Sequence, residues 1–125
     1  MPTLSESIYT FLDGEMTTDI YWGQLPSDID FSSGVISFYE LPGLADDITW
    51  MSNTQYQFSI RHNDIRSAYN IREELIKILL GKTGDIGNYQ TQFFFGNTQG
   101  ELYEDEGRII HLPIITNIRY IRFEN

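Results

Sequence analysis

The sequence predicts an α+β fold: a mainly antiparallel sheet of about five strands with two helices packed on one face, in the order α-β-β-β-α-β-β. Three observations predict it. Residues 54–61, TQYQFSIR, alternate Tyr56, Phe58 and Ile60 against Gln55, Gln57, Ser59 and Arg61, the period of a half-buried strand. The pattern then switches to three- and four-residue spacing through Ile65, Ala68, Leu75, Ile76 and Leu79. Ile71 and Ile78 widen that stripe, while Arg66, Glu73, Glu74 and Lys77 fall on the opposite side of a helix. A closing run from Ile109 to Phe123 alternates again, with Ile110, Leu112, Ile114, Ile118 and Tyr120 on one face.

The elements follow in order. Thr3-Leu4-Ser5-Glu6 has capping-box spacing, and Leu4, Ile8, Phe11 and Leu12 form one face of a short helix that Gly14 is expected to end. Asp19 to Gln24 reads as a strand stopped by Pro26, with Ile20 and Trp22 on one side. Val35 to Glu40 is a second strand, bounded by Gly34 and Pro42. Residues 41–53, LPGLADDITWMSN, carry no clean period and read as a long loop. The central strand follows, then the helix, capped by Asn63 or Asp64 and ended by Gly81, with Glu73 and Lys77 spaced for an ion pair. Tyr89 to Phe95 is strand-like, and residues 96–107 form a loop or protruding turn. Pro113 interrupts the closing run, and because proline donates nothing to a ladder, an edge or a bulge is expected there.

At 125 residues the chain reads as a single domain, 1–125, and can bury roughly two-thirds of its unfolded surface. No apolar run approaches the ~18 residues of a membrane helix. The N-terminal residues do not read as a signal peptide, and zero cysteines exclude disulfides and thiolate metal sites. Charge is the unusual property. Residues 1–60 contain nine Asp or Glu and no Lys or Arg. All eight basic residues lie at or after Arg61, among nine further acids, for a net charge of −10. Binding to a nucleic-acid backbone needs clustered cations, so this composition argues against it.

Signals for chemistry are weak. Gly81-Lys82-Thr83-Gly84 has the end of a phosphate loop but follows a helix, with Ile76 where the first glycine belongs. His62 and His111 lack ligand-spaced neighbours and read as strand-end or surface residues. Glu101, Glu104, Asp105 and Glu106 lack calcium-loop spacing and read as a solvated hairpin tip. No catalytic residue, cofactor site or metal site is assigned. Trp50 and Met51, in an irregular segment beside Asp46 and Asp47, either fold back on the core or anchor a partner.

Across nearly its whole length the layout resembles the small tail terminator, or tail completion, proteins of long-tailed bacteriophages, often grouped as minor capsid proteins. The resemblance rests on a short N-terminal helix and a strand ending in Gly and Pro (DIYWGQLP, 19–26). A second strand ends in Pro-Gly (VISFYELPG, 35–43). It extends to the strand QFSIR (57–61) and the helix start DIRSAY (64–69). It implies a structural, non-enzymatic virion protein at the head–tail interface, present in host cytoplasm during assembly. The partners implied are further copies of itself in a hexameric ring, the tail tube protein and a head completion or connector protein, with no membrane. DNA would pass through the ring without specific binding. Trp50 and Met51 are then candidates for a subunit or partner interface. Asp46, Asp47, Glu101, Glu104, Asp105 and Glu106 become candidates for an acidic channel wall that does not trap phosphates. The rival reading, motivated by the charge, is a small acidic inhibitor of the DNA-mimic or immunity type.

Overall fold

The structure, a computed structural model, describes residues 3–42, 52–81, 84–98 and 100–122. Helix α1 (Leu4–Glu15) opens with the expected capping box. Thr3 Oγ1 accepts from the Glu6 N–H at 3.2 Å, and Glu6 Oε1 accepts from the Thr3 N–H at 3.4 Å. The helix does not stop at Gly14. It ends one residue later, where Met16 turns extended and its N–H bonds the Leu12 carbonyl, a closure that needs no left-handed residue.

The strands are β1 (Asp19–Trp22), β2 (Val35–Leu41), β3 (Ser52–His62), β4 (Gly84–Ile86), β5 (Tyr89–Thr98), β6 (Leu102–Glu104) and β7 (Ile109–Arg122), with helix α2 (Ile65–Gly81) after β3. Among the described residues they form one sheet in the order β1-β2-β3-β7-β5-β4, with β6 also paired to β7. The expected five strands are therefore seven. The two additions, β4 and β6, are three residues each, too short to leave a period in the sequence. The sheet is also mixed, because β1 and β2 run parallel, with Asp19 opposite Val35. The long 23–34 connection carries the chain back along β1 before β2 begins, which a hairpin cannot do. Part of the expected 41–53 loop is strand as well: Leu41 belongs to β2, and Ser52 and Asn53 to β3.

Pro113 sits inside the long β7, opposite Ser59 of β3. On the other side of β7, the last β6 partner is His111 and the first β5 partner is Ile114, with a register shift in β5 between Phe95 and Thr98. The missing proline N–H thus falls where one neighbouring strand has ended and the next begins. That is the interruption its chemistry demands.

One sheet face carries the core. Ile36, Phe38, Tyr56, Phe58, Ile60, Leu112, Ile114 and Ile118 are all at most 1% exposed, and Leu75 and Leu79 of α2 pack over them. Each such side chain contributes roughly 1.5–3 kcal/mol on burial. Phe38 and Phe58 stack with ring centroids 5.5 Å apart. Asp64 caps α2, its Oδ2 accepting from the Ser67 N–H at 3.0 Å and the Ser67 hydroxyl at 2.7 Å. Ile65, at the first helical position, is 40% exposed and lies outside the stripe. Glu73 and Lys77 are exposed and do not pair.

Helix α1 packs beside β1 and also reaches β4, the two ends of the strand order. The sheet is curled enough for one helix to meet both edges. Gly87, with φ +59°, marks the second contact: a Cβ there would stand 2.7 Å from Ser7 Oγ. Two edge strands that could template aggregation are covered by the same helix.

Candidate assembly surface

Among the described residues no helix covers the second face of the sheet. Cross-strand register places Ser37 opposite Ser59, and Ser59 opposite Pro113. The adjacent row sets Arg61 opposite His111, and His111 opposite Leu102. These residues belong to the polar phase of the same alternating strands whose other phase builds the core. With Gly23, Gln24 and Leu25 as one wall, Ser37, Tyr39, Gln57, Ser59, Arg61 and His111 line an open groove of about 640 Å³.

At one end of the groove three strands bring three ionisable groups together. Arg61 Nε donates to Glu104 Oε1 at 2.8 Å, and Arg61 Nη1 donates to Ser37 Oγ at 3.2 Å. His111 Nδ1 lies 3.3 Å from Glu104 Oε2, but off the line that a hydrogen bond requires. Both ring nitrogens of His111 are buried and neither has a hydrogen-bond partner. The residue is only 6% exposed. Burial and then the Arg61 charge push the imidazole below its ordinary value, and Glu104 offsets this only in part. The Arg61 hydrogen bond, with the guanidinium charge behind it, holds the Glu104 carboxyl below the usual range against a partial burial penalty. The cluster at neutral pH is therefore a cation, an anion and a neutral imidazole.

The acidic stretch divides into separate environments. Glu101 accepts from the hydroxyls of Tyr69 and Tyr103, both at 2.6 Å, and these bonds, Tyr103 first, lower its pKa. The Arg72 guanidinium stands 4.5 Å over the Tyr69 ring. This clamp ties the start of β6 to α2. Glu104 faces the sheet in the ion pair with Arg61. Asp105 and Glu106 form the exposed tip between β6 and β7 with φ of 52° and 58°, followed by Gly107 at 84°. Glu106 is 3.7 Å from Arg108 in a fully solvated pair. Asp46, Asp47, Trp50 and Met51 lie outside the described residues.

Both histidines are buried, so neither is the surface residue allowed for. His62 does end β3, and its Nδ1 accepts the Asp64 N–H at 2.9 Å, helping to start α2. Sequence reasoning did not single out Ser37, Ser59, Arg61 or His111 as a group. The signal present was Arg61 itself, the first cation in the chain, on the polar phase of a strand whose other phase is core. No Ser–His–Asp geometry occurs among the described residues, nor any group of three His, Asp or Glu side chains that could hold a metal. No helix of the described residues is long and apolar enough to cross a membrane. Exposed apolar side chains do occur: Trp22 on β1, Tyr39 and Phe94 on the open face, and Leu102 and Tyr103 on β6, each 40–58% accessible.

No protein-family model matches the sequence, and no curated protein matches it. Among solved structures, the fold is similar to a chain of the "Virion of native gene transfer agent (GTA) particle". That likeness has a TM-score of 0.74 and covers 94% of each chain at 13% identity. The whole domain, helices and curled sheet together, is thus a shared architecture.

Proposed function

We propose that this protein is a structural subunit of a phage-like virion. In this reading it forms a ring, hexameric by resemblance to the tail terminators, which caps the tail tube and joins it to the head. The observation that carries the reading is the full-length fold likeness to a virion chain. The short motifs at 19–26, 35–43 and 57–69 point to the same class of protein. The arrangement of side chains suits a scaffold. The half-buried Arg61–Glu104 contact attaches the β6 arm, and no Ser–His–Asp arrangement occurs among the described residues.

The proposed partners are further copies of the chain, the tube protein and a head completion protein, with DNA passing through the central opening. A wall without clustered cations leaves phosphates hydrated and mobile. Of the described acidic candidates for that wall, Glu101, Asp105 and Glu106 are exposed, Glu101 held by two tyrosines, while Glu104 is half-buried in its pair with Arg61. Asp46 and Asp47 remain candidates for the wall, and Trp50 and Met51 for the interface.

Gold-labelled antibody on purified particles tests the location. Label at a single point between head and tail is expected. Label absent from particles, or spread along the tail or over the head, would contradict the reading.

A further inference from the structure

His111 is a buried imidazole flanked by a short, separable strand. It lies on β7 with Arg61 of β3 directly across on one side and Leu102 of β6 on the other. Directly opposite residues share a face, so Leu102 and Glu104 make the flank of the ring that β6 supplies. Both ring nitrogens are buried and unbonded. A neutral imidazole bears that burial at modest cost, whereas a buried cation without a free partner is far more costly. Glu104 Oε2 stands 3.3 Å from Nδ1, but Arg61 already engages that carboxylate at 2.8 Å. Arg61 of β3 and Glu104 of β6 are the charged groups facing the ring among the described residues. Along the same groove β2 adds Ser37 and the Tyr39 phenol, and residues 23–25 add no charge.

The arm beside the ring is lightly held. Strand β6 makes three residue pairs with β7 and has no pairing on its outer edge among the described residues. Pro113, which has no N–H to give, separates those pairs from the β5 ladder that resumes at Ile114. The arm can therefore leave β7 without unzipping β5. Leu102 and Tyr103 are 48% and 58% accessible, so little apolar surface anchors it. The turn that returns to β7 holds Asp105 and Glu106 at φ 52° and 58°, a left-handed pair that opening releases. Its side-chain ties to the rest of the fold are Glu104 on Arg61 and Glu101 on Tyr69 of α2. Segments with so few buried contacts open locally, ahead of the whole domain.

We propose that the β6 arm is an acid-released latch: a proton on His111 opens the arm from β7 while the rest of the sheet stays folded. Opening lets water reach the imidazolium and hydrates and screens the Arg61 charge beside it. In the closed arm burial is the first cause that holds the imidazole below its ordinary value and the Arg61 charge the second, with Glu104 offsetting them only in part. The closed arm thus refuses a proton that the open arm accepts. Closure is full above 6.5 and weakens as pH falls through the window beneath it. Opening uncovers the β7 edge at Ile109–His111 and frees the Arg61 guanidinium, both shielded at neutral pH. The inference concerns the single chain and stands or falls apart from the ring reading.

Amide exchange of the full chain from pH 7.5 to 5.5, corrected for the intrinsic rate, tests it. In the wild type the Leu102–Glu104 amides are expected to be protected, but less than those of Phe58–Ile60. Their protection should fall about threefold or more across the range, one proton allowing at most about tenfold per pH unit. In His111→Gln and His111→Phe, which do not titrate, it should stay flat, and either variant suffices if the other fails to fold. The ring signals of His111 in the wild type, which need no variant, should titrate with a midpoint below 6.5. Four results would each overturn the proposal: arm protection that does not change with pH, the same pH dependence without the imidazole, arm amides that exchange only as fast as the core, or a ring midpoint at or above 6.5.

Discussion

At the residue scale, two side chains make separate claims. Leu75 is fully buried between α2 and the sheet, so Leu75→Ala leaves a cavity and should cost ~2–5 kcal/mol in denaturant melts. A loss below about 1 kcal/mol would mean that the site collapses around the cavity or that the helix face is wrong. His111 makes stability depend on pH. Its folded pKa lies below the ordinary 6.5, so over the window beneath 6.5 the unfolded chain binds the proton that the folded chain refuses. Stability is full above that window and falls as pH drops through it. Glu104 acts in the same direction lower down, its contribution being lost as pH falls below 4.5. Urea melts from pH 7.5 to 5.5 should therefore show a decline that flattens in His111→Phe. An unchanged slope in that variant would remove the imidazole from the account.

At the scale of elements, β6 is a short arm fixed at two points, Glu104 on Arg61 and Glu101 between Tyr69 and Tyr103. Replacing both tyrosines by phenylalanine should raise amide exchange at Leu102–Glu104 while leaving β3 protected. Equal exchange throughout would show that the three ladder pairs with β7 hold the arm unaided. The elements also show what sequence can carry. The capping box of α1, the apolar stripe of α2 around Leu75 and Leu79, and the two-residue period of β3 and β7 are local patterns, and they are legible. The parallel pairing of β1 with β2 is decided by where residues 23–34 lead the chain, and three-residue strands have no period to read. The groove was invisible for the same reason: Ser37, Arg61, Glu104 and His111 meet only through the register of four strands. Pro113 is the intermediate case, since its chemistry announced an interruption but not which strands would meet there.

At the scale of the whole molecule, a net charge of −10, with every cation at or after Arg61, opposes assembly by repulsion. The isolated chain should be a monomer at low ionic strength and associate more strongly as salt rises, because screening removes long-range repulsion before it disturbs hydrogen bonds at contact. Electron microscopy of the purified protein, over a salt series and with tail tubes added, tests the central claim most directly. The account predicts closed rings of one size with an open centre, free at high salt and seated on tube ends. Monomers under all conditions and bare tube ends would contradict it, and a tight one-to-one complex with a basic protein would favour the acidic inhibitor instead.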